Sequence, residues 1–131
     1  MNRVTLLSLA YLLALSSAAQ AEEPFKIGVV APLSGPTQSV GVAMQRGIEM
    51  ALKDNPQANI KVIYEDDQFL PAKSANAVHR LVDVEHVDLV LSCGSTPSNA
   101  VAPLTQFSSV PLVAWASDRR VSLNRPLVFR S

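Results

Sequence analysis

The chain alternates between short apolar runs and longer stretches in which apolar residues recur at helical spacing. "FKIGVVA" is a run of strand length, and "NIKVIYE" alternates apolar and polar positions as a half-buried strand does. Further apolar runs follow, and the predicted strands are 25–31, 59–65, 87–92, 110–115 and 126–130.

Helices are predicted between these strands. Apolar residues keep a helical period over 40–53, and Pro71 begins a second helix. Pro97 suits the first turn of a third helix, although Pro103 strains that helix near its middle. Alternation of nearly continuous apolar strands with helices predicts a doubly wound α/β fold, in which a parallel sheet is covered on both faces.

The first 21 residues have the layout of a secretory signal peptide. Arg3 precedes an apolar run over 4–15, and the segment closes with Ala19-Gln20-Ala21. The run is too short to span a bilayer. We therefore expect residues 1–21 to direct the protein to the periplasm, and residues 22–131 to form the mature chain. Because the sequence stops directly after a strand, we also expect it to be a fragment or a truncated reading frame.

Charge and cysteine content narrow the possible partners. The 11 basic and 11 acidic residues balance, and no basic stripe is present, which argues against a nucleic acid or an anionic membrane surface as partner. Cys93 is the single cysteine and is interpreted as a small buried hydrophobe. His79 and His86 lack zinc-ligand spacing and are interpreted as solvated or capping residues. We expect a monomer without metal or cofactor.

A candidate ligand site follows the third strand. In open α/β sheets, ligands bind beyond the carboxyl ends of the strands, from which the loops 32–39, 66–70, 92–98 and 116–125 depart. In the third of these loops, Gly94, Ser95 and Thr96 immediately precede a helix. Free amides, the helix dipole and the hydroxyls there suit an anion, and without a lysine they suit a carboxylate better than a polyphosphate.

A simpler interpretation of the same loop is that Ser95 or Thr96 only caps the helix, and the residues alone leave both open. A third interpretation makes Ser95 a nucleophile, but the segment offers neither a histidine nor a G-x-S-x-G elbow. We therefore expect no enzymatic activity.

Three other features permit more than one interpretation. Asp66 and Asp67 could serve a metal or a phosphoryl group, but we interpret them as solvated carboxylates that cap the second helix, because a secreted domain does not meet cytoplasmic phosphate donors. Trp115 belongs either to the core or to a pocket wall. Arg119 and Arg120 are interpreted as a solvated loop pair.

Three stretches resemble the type 1 periplasmic solute-binding proteins. They are "FKIGVVAPLSGPTQSVGVAMQRGIEMAL", "IYEDDQFLPAKSANAVHRLV" and "VDLVLSCGSTPSNAVAPLTQFSSVPLVAW", and the likeness runs along 25–131. The chain is most similar to the leucine/isoleucine/valine-binding group that serves ABC importers. This resemblance implies two Rossmann-like lobes with the ligand between them, of which 22–131 supplies the first part of the amino-terminal lobe, and a membrane permease as partner.

The resemblance also implies roles for two loops. Gly94, Ser95 and Thr96 match the loop that holds the ligand carboxylate through a backbone amide and hydroxyls. The second loop, which takes the ligand ammonium through a backbone carbonyl and a side-chain oxygen, is matched by Ala116, Ser117 and Asp118. The implied ligand is a branched-chain-like amino acid or a related small polar compound such as an amide. The same lobes could instead serve a ligand sensor that reports to a regulator or receptor.

The chain departs from the family pattern around this site. Val40 stands where branched-chain binders have an aromatic residue, and Trp115 replaces a smaller one. Asp118 falls near a threonine of the pattern. Some members pair a cysteine that matches Cys93 with one near Phe69, and that bridge is absent here. The ligand is therefore less closely implied than the fold.

Overall fold

The computed structural model describes residues 22–131, so the predicted signal peptide lies outside the described residues. It shows a five-stranded, wholly parallel sheet with helices on both faces, as predicted. The strands are β1 (Phe25–Ala31), β2 (Ile60–Asp66), β3 (Leu89–Cys93), β4 (Leu112–Trp115) and β5 (Val128–Arg130). The helices are α1 (Gln38–Asp54), α2 (Pro71–His79), which continues as a π-helical turn (Arg80–Val84), α3 (Ser95–Phe107) and a 3-10 turn (Arg119–Val121).

The strand order is β2-β1-β3-β4-β5. The chain therefore steps from β1 to β2 on one side and then crosses to β3 on the other side of β1. Such a reversal opens a crevice beyond the carboxyl ends of the two central strands, because the loops that follow them run in opposite directions. The sheet topology thus marks the edge beyond β1 and β3 as the place for a ligand.

Each face of the sheet carries its own apolar core. Val30, Val90 and Leu112 face α2 and α3, where Leu81 packs among them without solvent exposure. The opposite face packs against α1 through a smaller cluster that contains Val29, Ala31 and Cys93, all of them buried. Cys93 is therefore a small buried hydrophobe, as predicted.

The face that carries α1 is covered only in part. Val29 pairs with Leu91, Leu91 with Val113, and Val113 with Phe129, so these four side chains form one row across the sheet. Exposure rises along that row from 0% at Val29 to 55% at Phe129. Trp115, in the neighbouring row beside Cys93, is 53% exposed. Of the two interpretations that the sequence left open for Trp115, core or pocket wall, the core is therefore wrong.

Several predicted boundaries differ from the structure by one or two residues. β1 has the predicted bounds, whereas β3 and β4 begin two residues late and α1 begins two residues early. α3 runs through Pro103 to Phe107, so the proline does not end it. His79 is exposed, and its Nδ1 atom lies 3.2 Å from Oδ2 of Asp83. No helix within residues 22–131 has both the length and the apolar character of a membrane span.

Candidate functional site

An open pocket of about 410 Å³ lies at the carboxyl edge of the sheet, and this volume is typical of small-molecule sites. All four loops that were predicted to leave this edge, or the residues that adjoin them, contribute to its wall. The lining residues are Thr37, Val40, Phe69, Cys93, Gly94, Ser95, Thr96, Trp115, Ala116 and Ser117. Five of the six predicted site residues are among them, and Asp118 is not.

The loop after β3 is held in place by buried hydroxyls. The Ser98 hydroxyl donates to the Ser92 hydroxyl at 2.9 Å, and both side chains are fully buried. This bond ties the first turn of α3 to the end of β3. The Asn99 amide donates to the Ser95 carbonyl at 3.0 Å and so holds the same turn. The start of α3 is therefore fixed by the side chains of Ser92, Ser98 and Asn99, which do not line the pocket.

Gly94 is the residue before α3, and two features require glycine there. Its φ of 92° and ψ of 149° lie in a region that side chains other than glycine rarely adopt. A Cβ atom at this position would also lie 2.3 Å from Cε2 of Phe69. The Phe69 ring consequently lies directly against the glycine, and the turn into α3 approaches the pocket closely.

No side chain caps α3 within the described residues, so the interpretation of Ser95 or Thr96 as a helix cap is wrong. The first intrahelical bond runs from the Ser98 amide to the Gly94 carbonyl at 3.0 Å. Pro97 has no N–H, which leaves the amides of Ser95 and Thr96 at the positive end of the helix. Gly94 and Ser95 are half-buried and Thr96 is exposed, so these amides are open to the pocket, where an anion can accept from them.

The Ser95 hydroxyl accepts a hydrogen bond from the Asp118 amide at 3.1 Å and lies 3.3 Å from the Ser117 hydroxyl. These contacts join the loop after β3 to the loop after β4, so the two loops that the resemblance singled out lie side by side. Neither a histidine nor a carboxylate contacts this hydroxyl among the described residues, and nothing there could act as a base for a serine nucleophile.

The Asp118 carboxylate does not line the pocket and is engaged by Arg120 and Asn99. It accepts hydrogen bonds from the Arg120 amide at 2.9 Å and from the Asn99 amide at 2.8 Å, and it pairs with the Arg120 guanidinium at 2.9 Å. Hydrogen bonds from the Arg120 side chain and backbone, followed by the one from Asn99, hold the pKa of the Asp118 carboxyl well below its usual range. The interpretation of Arg120 as merely solvated therefore misses this ion pair.

The carbonyl of Ala116 is also engaged. The Arg130 guanidinium, which projects from β5, donates to it at 3.3 Å. The resemblance assigned this loop the task of taking an ammonium through a carbonyl and a side-chain oxygen. The Ala116 carbonyl and the Asp118 carboxylate of this loop already contact arginine side chains, whereas Ser117 lines the pocket.

Asp66 is exposed, as predicted, whereas Asp67 differs from the prediction. Asp67 is fully buried and accepts hydrogen bonds from the Phe69 amide at 2.8 Å and the Ser74 hydroxyl at 2.7 Å. It is therefore not solvated, and neither it nor Asp66 caps a backbone amide of α2. Its role is to shape the turn that sets Phe69 against Gly94.

The Asp66 carboxylate connects the loop after β1 to the end of β2. It accepts hydrogen bonds from the amides of Leu33, Ser34 and Gln68, and from the Ser34 hydroxyl. Burial alone would raise the pKa of this carboxyl, but the hydrogen bonds, led by the one from Ser34, lower it below its ordinary value. These bonds position the loop that leads to Thr37.

Thr37, Val40 and Phe69 line the pocket but were not predicted as site residues. The signal was present, because Thr37 lies in the predicted loop 32–39 and Phe69 in the predicted loop 66–70, both at the ligand-binding edge. The approach of α1 to this edge depends on Gly41, where a Cβ atom would lie 2.1 Å from the Pro32 carbonyl oxygen.

Burial raises the pKa of the Cys93 thiol, and the charge of Asp67 adds to this effect. The thiol therefore stays protonated at neutral pH.

Comparison with known proteins agrees with this geometry. A sequence model of the family described as "Periplasmic binding protein" matches residues 24–131. The chain belongs to the periplasmic binding protein family. The type 1 resemblance predicted from the sequence is thereby confirmed, and the family is one of solute-binding proteins rather than enzymes.

Individual relatives of this periplasmic binding protein are solute-binding proteins of ABC transporters or amino-acid binders. A Leu/Ile/Val-binding protein homolog 6 of Brucella abortus is 30% identical over 138 residues, which covers 100% of this chain and 35% of that protein. The leucine binding protein LivK of Thermotoga maritima is 27% identical with a TM-score of 0.76, over 80% of this chain and 31% of that one.

A further solved relative was determined with an aromatic acid. The ABC transporter solute binding protein of R. palustris, in complex with 4-hydroxybenzoate, is 26% identical with a TM-score of 0.72, over 82% of this chain and 31% of that one. The present chain spans about a third of the length of the curated relatives it matches.

Proposed function

We propose that the chain forms the first part of the ligand-capturing lobe of the periplasmic substrate-binding component of an ABC importer for a small carboxylate-bearing solute. Amino acids fall within this solute class. The relatives named above support the transport role, and both leucine and 4-hydroxybenzoate carry a carboxylate. The observation that carries the proposal is the uncapped start of α3, which opens into the pocket.

The solute carboxylate binds at this helix start. The amides of Ser95 and Thr96 point out of the first turn, and the positive end of the helix dipole lies behind them. The Ser95 and Thr96 hydroxyls add two short donors at the same place. Hydrogen bonds to an ionised carboxylate are stronger than bonds between neutral groups, so this corner provides most of the orientation of the solute.

The rest of the solute lies against an apolar wall. Phe69 and Trp115 present aromatic surfaces, and Val40 from α1 completes the wall. Trp115 is half exposed in this lobe, which leaves its ring available to a ligand. Burial of apolar solute surface against these rings contributes affinity, whereas the start of α3 selects for the negatively charged end of the solute.

A second lobe closes over the bound solute in this account. The chain covers only 35% of the Brucella relative, and the pocket of this lobe is open on one side. Closure excludes water, which strengthens the charged hydrogen bonds at the helix start. The closed form, whose population rises on ligand binding, is what a membrane permease recognises.

Calorimetry on the complete protein tests the carboxylate site. A panel of L-leucine, L-isoleucine and 4-hydroxybenzoate identifies the tightest binder among them. Removal of both hydroxyls by Ser95→Ala with Thr96→Ala weakens that binder by at least about 1–3 kcal/mol, because a single lost charged hydrogen bond is already of this order. The matched control is Ser39→Ala, which removes an exposed hydroxyl from the first turn of α1, outside the pocket.

The control retains wild-type affinity if the site is placed correctly. An unchanged affinity of the double variant, with its circular dichroism spectrum also unchanged, contradicts the site. Failure of every panel member to bind contradicts the proposed solute class.

A further inference from the structure

The loops after β3 and β4 are joined by a closed ring of hydrogen bonds. The Asp118 backbone N–H donates to the Ser95 hydroxyl at 3.1 Å. The Asn99 side-chain amide donates to the Ser95 carbonyl at 3.0 Å and to the Asp118 carboxylate at 2.8 Å. Ser95 and Asp118 are therefore connected twice, once directly and once through Asn99.

Asn99 is the residue that closes this ring. A side-chain amide has two N–H donors, and both partners of Asn99 are acceptors, so both donors are used. Asn99 is half-buried in α3 and does not line the pocket. Any effect of this side chain on a bound solute is therefore transmitted by the groups that it holds.

The Asp118 carboxylate has a second support. The Arg120 guanidinium pairs with it at 2.9 Å, and the Arg120 backbone N–H donates to it at 2.9 Å. Hydrogen bonds to an ionised carboxylate are about twice as strong as bonds between neutral groups. With its side chain held by Asn99 and Arg120, Asp118 keeps its own backbone N–H directed at Ser95.

The ring also sets the direction in which the Ser95 hydroxyl donates. A hydroxyl has one O–H donor and two acceptor lone pairs. The Asp118 N–H occupies one lone pair, and the Ser117 hydroxyl, 3.3 Å away, is placed to occupy the other. The O–H of Ser95 is then left to donate to an acceptor in the pocket, which Ser95 and Ser117 both line.

We propose that Asn99 is a positioning residue for the solute site, because it holds Asp118 and thereby fixes the Ser95 hydroxyl as a donor into the pocket. The inference rests on the proposed function, since it requires that the Ser95 hydroxyl contacts the solute. It goes further by giving a role to a side chain outside the pocket. It also gives Asp118 a task that the resemblance does not imply, because its backbone N–H serves the site.

A double-mutant cycle on the complete protein tests whether Asn99 acts through Ser95. The ligand is the tightest binder of the calorimetric panel. We expect Asn99→Ala to lower its affinity at least about fivefold, because the Ser95 hydroxyl loses its fixed direction. In the Ser95→Ala background the same change lowers the affinity at most about twofold, because the group through which Asn99 acts is already gone.

A variant of equal size separates hydrogen bonding from packing. Asn99→Asp keeps the shape of the side chain but replaces both donors by a carboxylate that faces Asp118. We expect it to bind the solute more weakly than Asn99→Ala at neutral pH, whereas a packing role for Asn99 predicts the opposite order. The matched control is Asn76→Asp, an exposed position of α2 outside the pocket, which retains wild-type affinity.

The ring itself is tested without a ligand. In a two-dimensional ¹⁵N–¹H spectrum of the ligand-free protein, we expect the Asp118 amide resonance to move in Asn99→Ala, with the dispersion of a folded protein retained. A folded Asn99→Ala variant whose Asp118 amide stays in place contradicts the proposed ring.

The remaining outcomes separate this inference from the proposed function. Equal losses from Asn99→Ala in both backgrounds, or no loss in the wild-type background, contradict the inference. The carboxylate site stands in that case, provided that Ser95→Ala binds more weakly than wild type. Wild-type affinity of Ser95→Ala, and of Ser95→Ala with Thr96→Ala, contradicts the carboxylate site, and the inference fails with it.

Discussion

Replacement of Gly94 by alanine is the sharpest test of how the pocket is built. Two separate costs follow from the structure. The backbone of Gly94, with φ 92° and ψ 149°, costs an alanine about 1–3 kcal/mol. The new Cβ atom would lie 2.3 Å from the Phe69 ring, and displacement of that ring costs about 1–3 kcal/mol more. We therefore expect Gly94→Ala to lower the free energy of unfolding by about 2–6 kcal/mol, a large share of the 5–15 kcal/mol typical of a domain.

Urea denaturation of the complete protein, followed by far-ultraviolet circular dichroism, measures this loss. Phe69→Ala removes the ring but not the backbone strain, so in that background Gly94→Ala should cost only the strain of about 1–3 kcal/mol. The control is Gly47→Ala in α1, where an added Cβ meets no atom within 4 Å and is expected to stabilise the helix by about 0.5–1 kcal/mol. If Gly94→Ala behaved like Gly47→Ala, the proposed construction of the pocket would be refuted.

Three further predictions concern buried and charged groups near the site. Asp67→Asn should lower the free energy of unfolding by about 1–3 kcal/mol in urea titrations. The asparagine side chain cannot accept hydrogen bonds from both the Ser74 hydroxyl and the Phe69 backbone N–H, as the buried carboxylate does. An unchanged midpoint of unfolding would contradict this role. The folded-state pKa of Asp66 lies below its ordinary 3.8, so its stabilising contribution is complete above that pH and declines as the pH falls below it. The stability difference between wild type and Asp66→Asn should therefore be constant above about pH 5 and shrink in acid, and a difference that grew in acid would be inconsistent with the hydrogen bonds. Tyr64→Phe should leave the free energy of unfolding unchanged or raise it by about 1 kcal/mol, since the buried Tyr64 hydroxyl has no hydrogen-bond partner among the described residues. A loss above about 1 kcal/mol in the same titration would contradict this expectation.

The sheet could be predicted from the sequence because its signals are local. The strand Phe25–Ala31 has the predicted bounds, since its apolar run is bordered by loop residues on both sides. The helix start near Pro71 was likewise marked by the proline itself. The π-helical turn Arg80–Val84 carries no comparable local signal and was not predicted.

The sequence predicted which loops form the site but not the contacts that their side chains make. The loops at the carboxyl edge follow from strand order, and five of the six predicted residues line one pocket. The contacts of Asp118 with Asn99 and of Ala116 with Arg130 join residues 19 and 14 positions apart, and no local pattern reveals them. Burial of Asp67 depends in the same way on a hydroxyl seven residues further along the chain.

The central claim is that the start of α3 holds the carboxylate of the solute. The most direct measurement is a two-dimensional ¹⁵N–¹H spectrum of the labelled complete protein during titration with the tightest binder of the calorimetric panel. The account predicts that the amide resonances of Ser95 and Thr96 shift and saturate with the dissociation constant found by calorimetry, while the amide of Ser39 in the first turn of α1 stays in place. Saturation of binding with the Ser95 and Thr96 amides unmoved would contradict it.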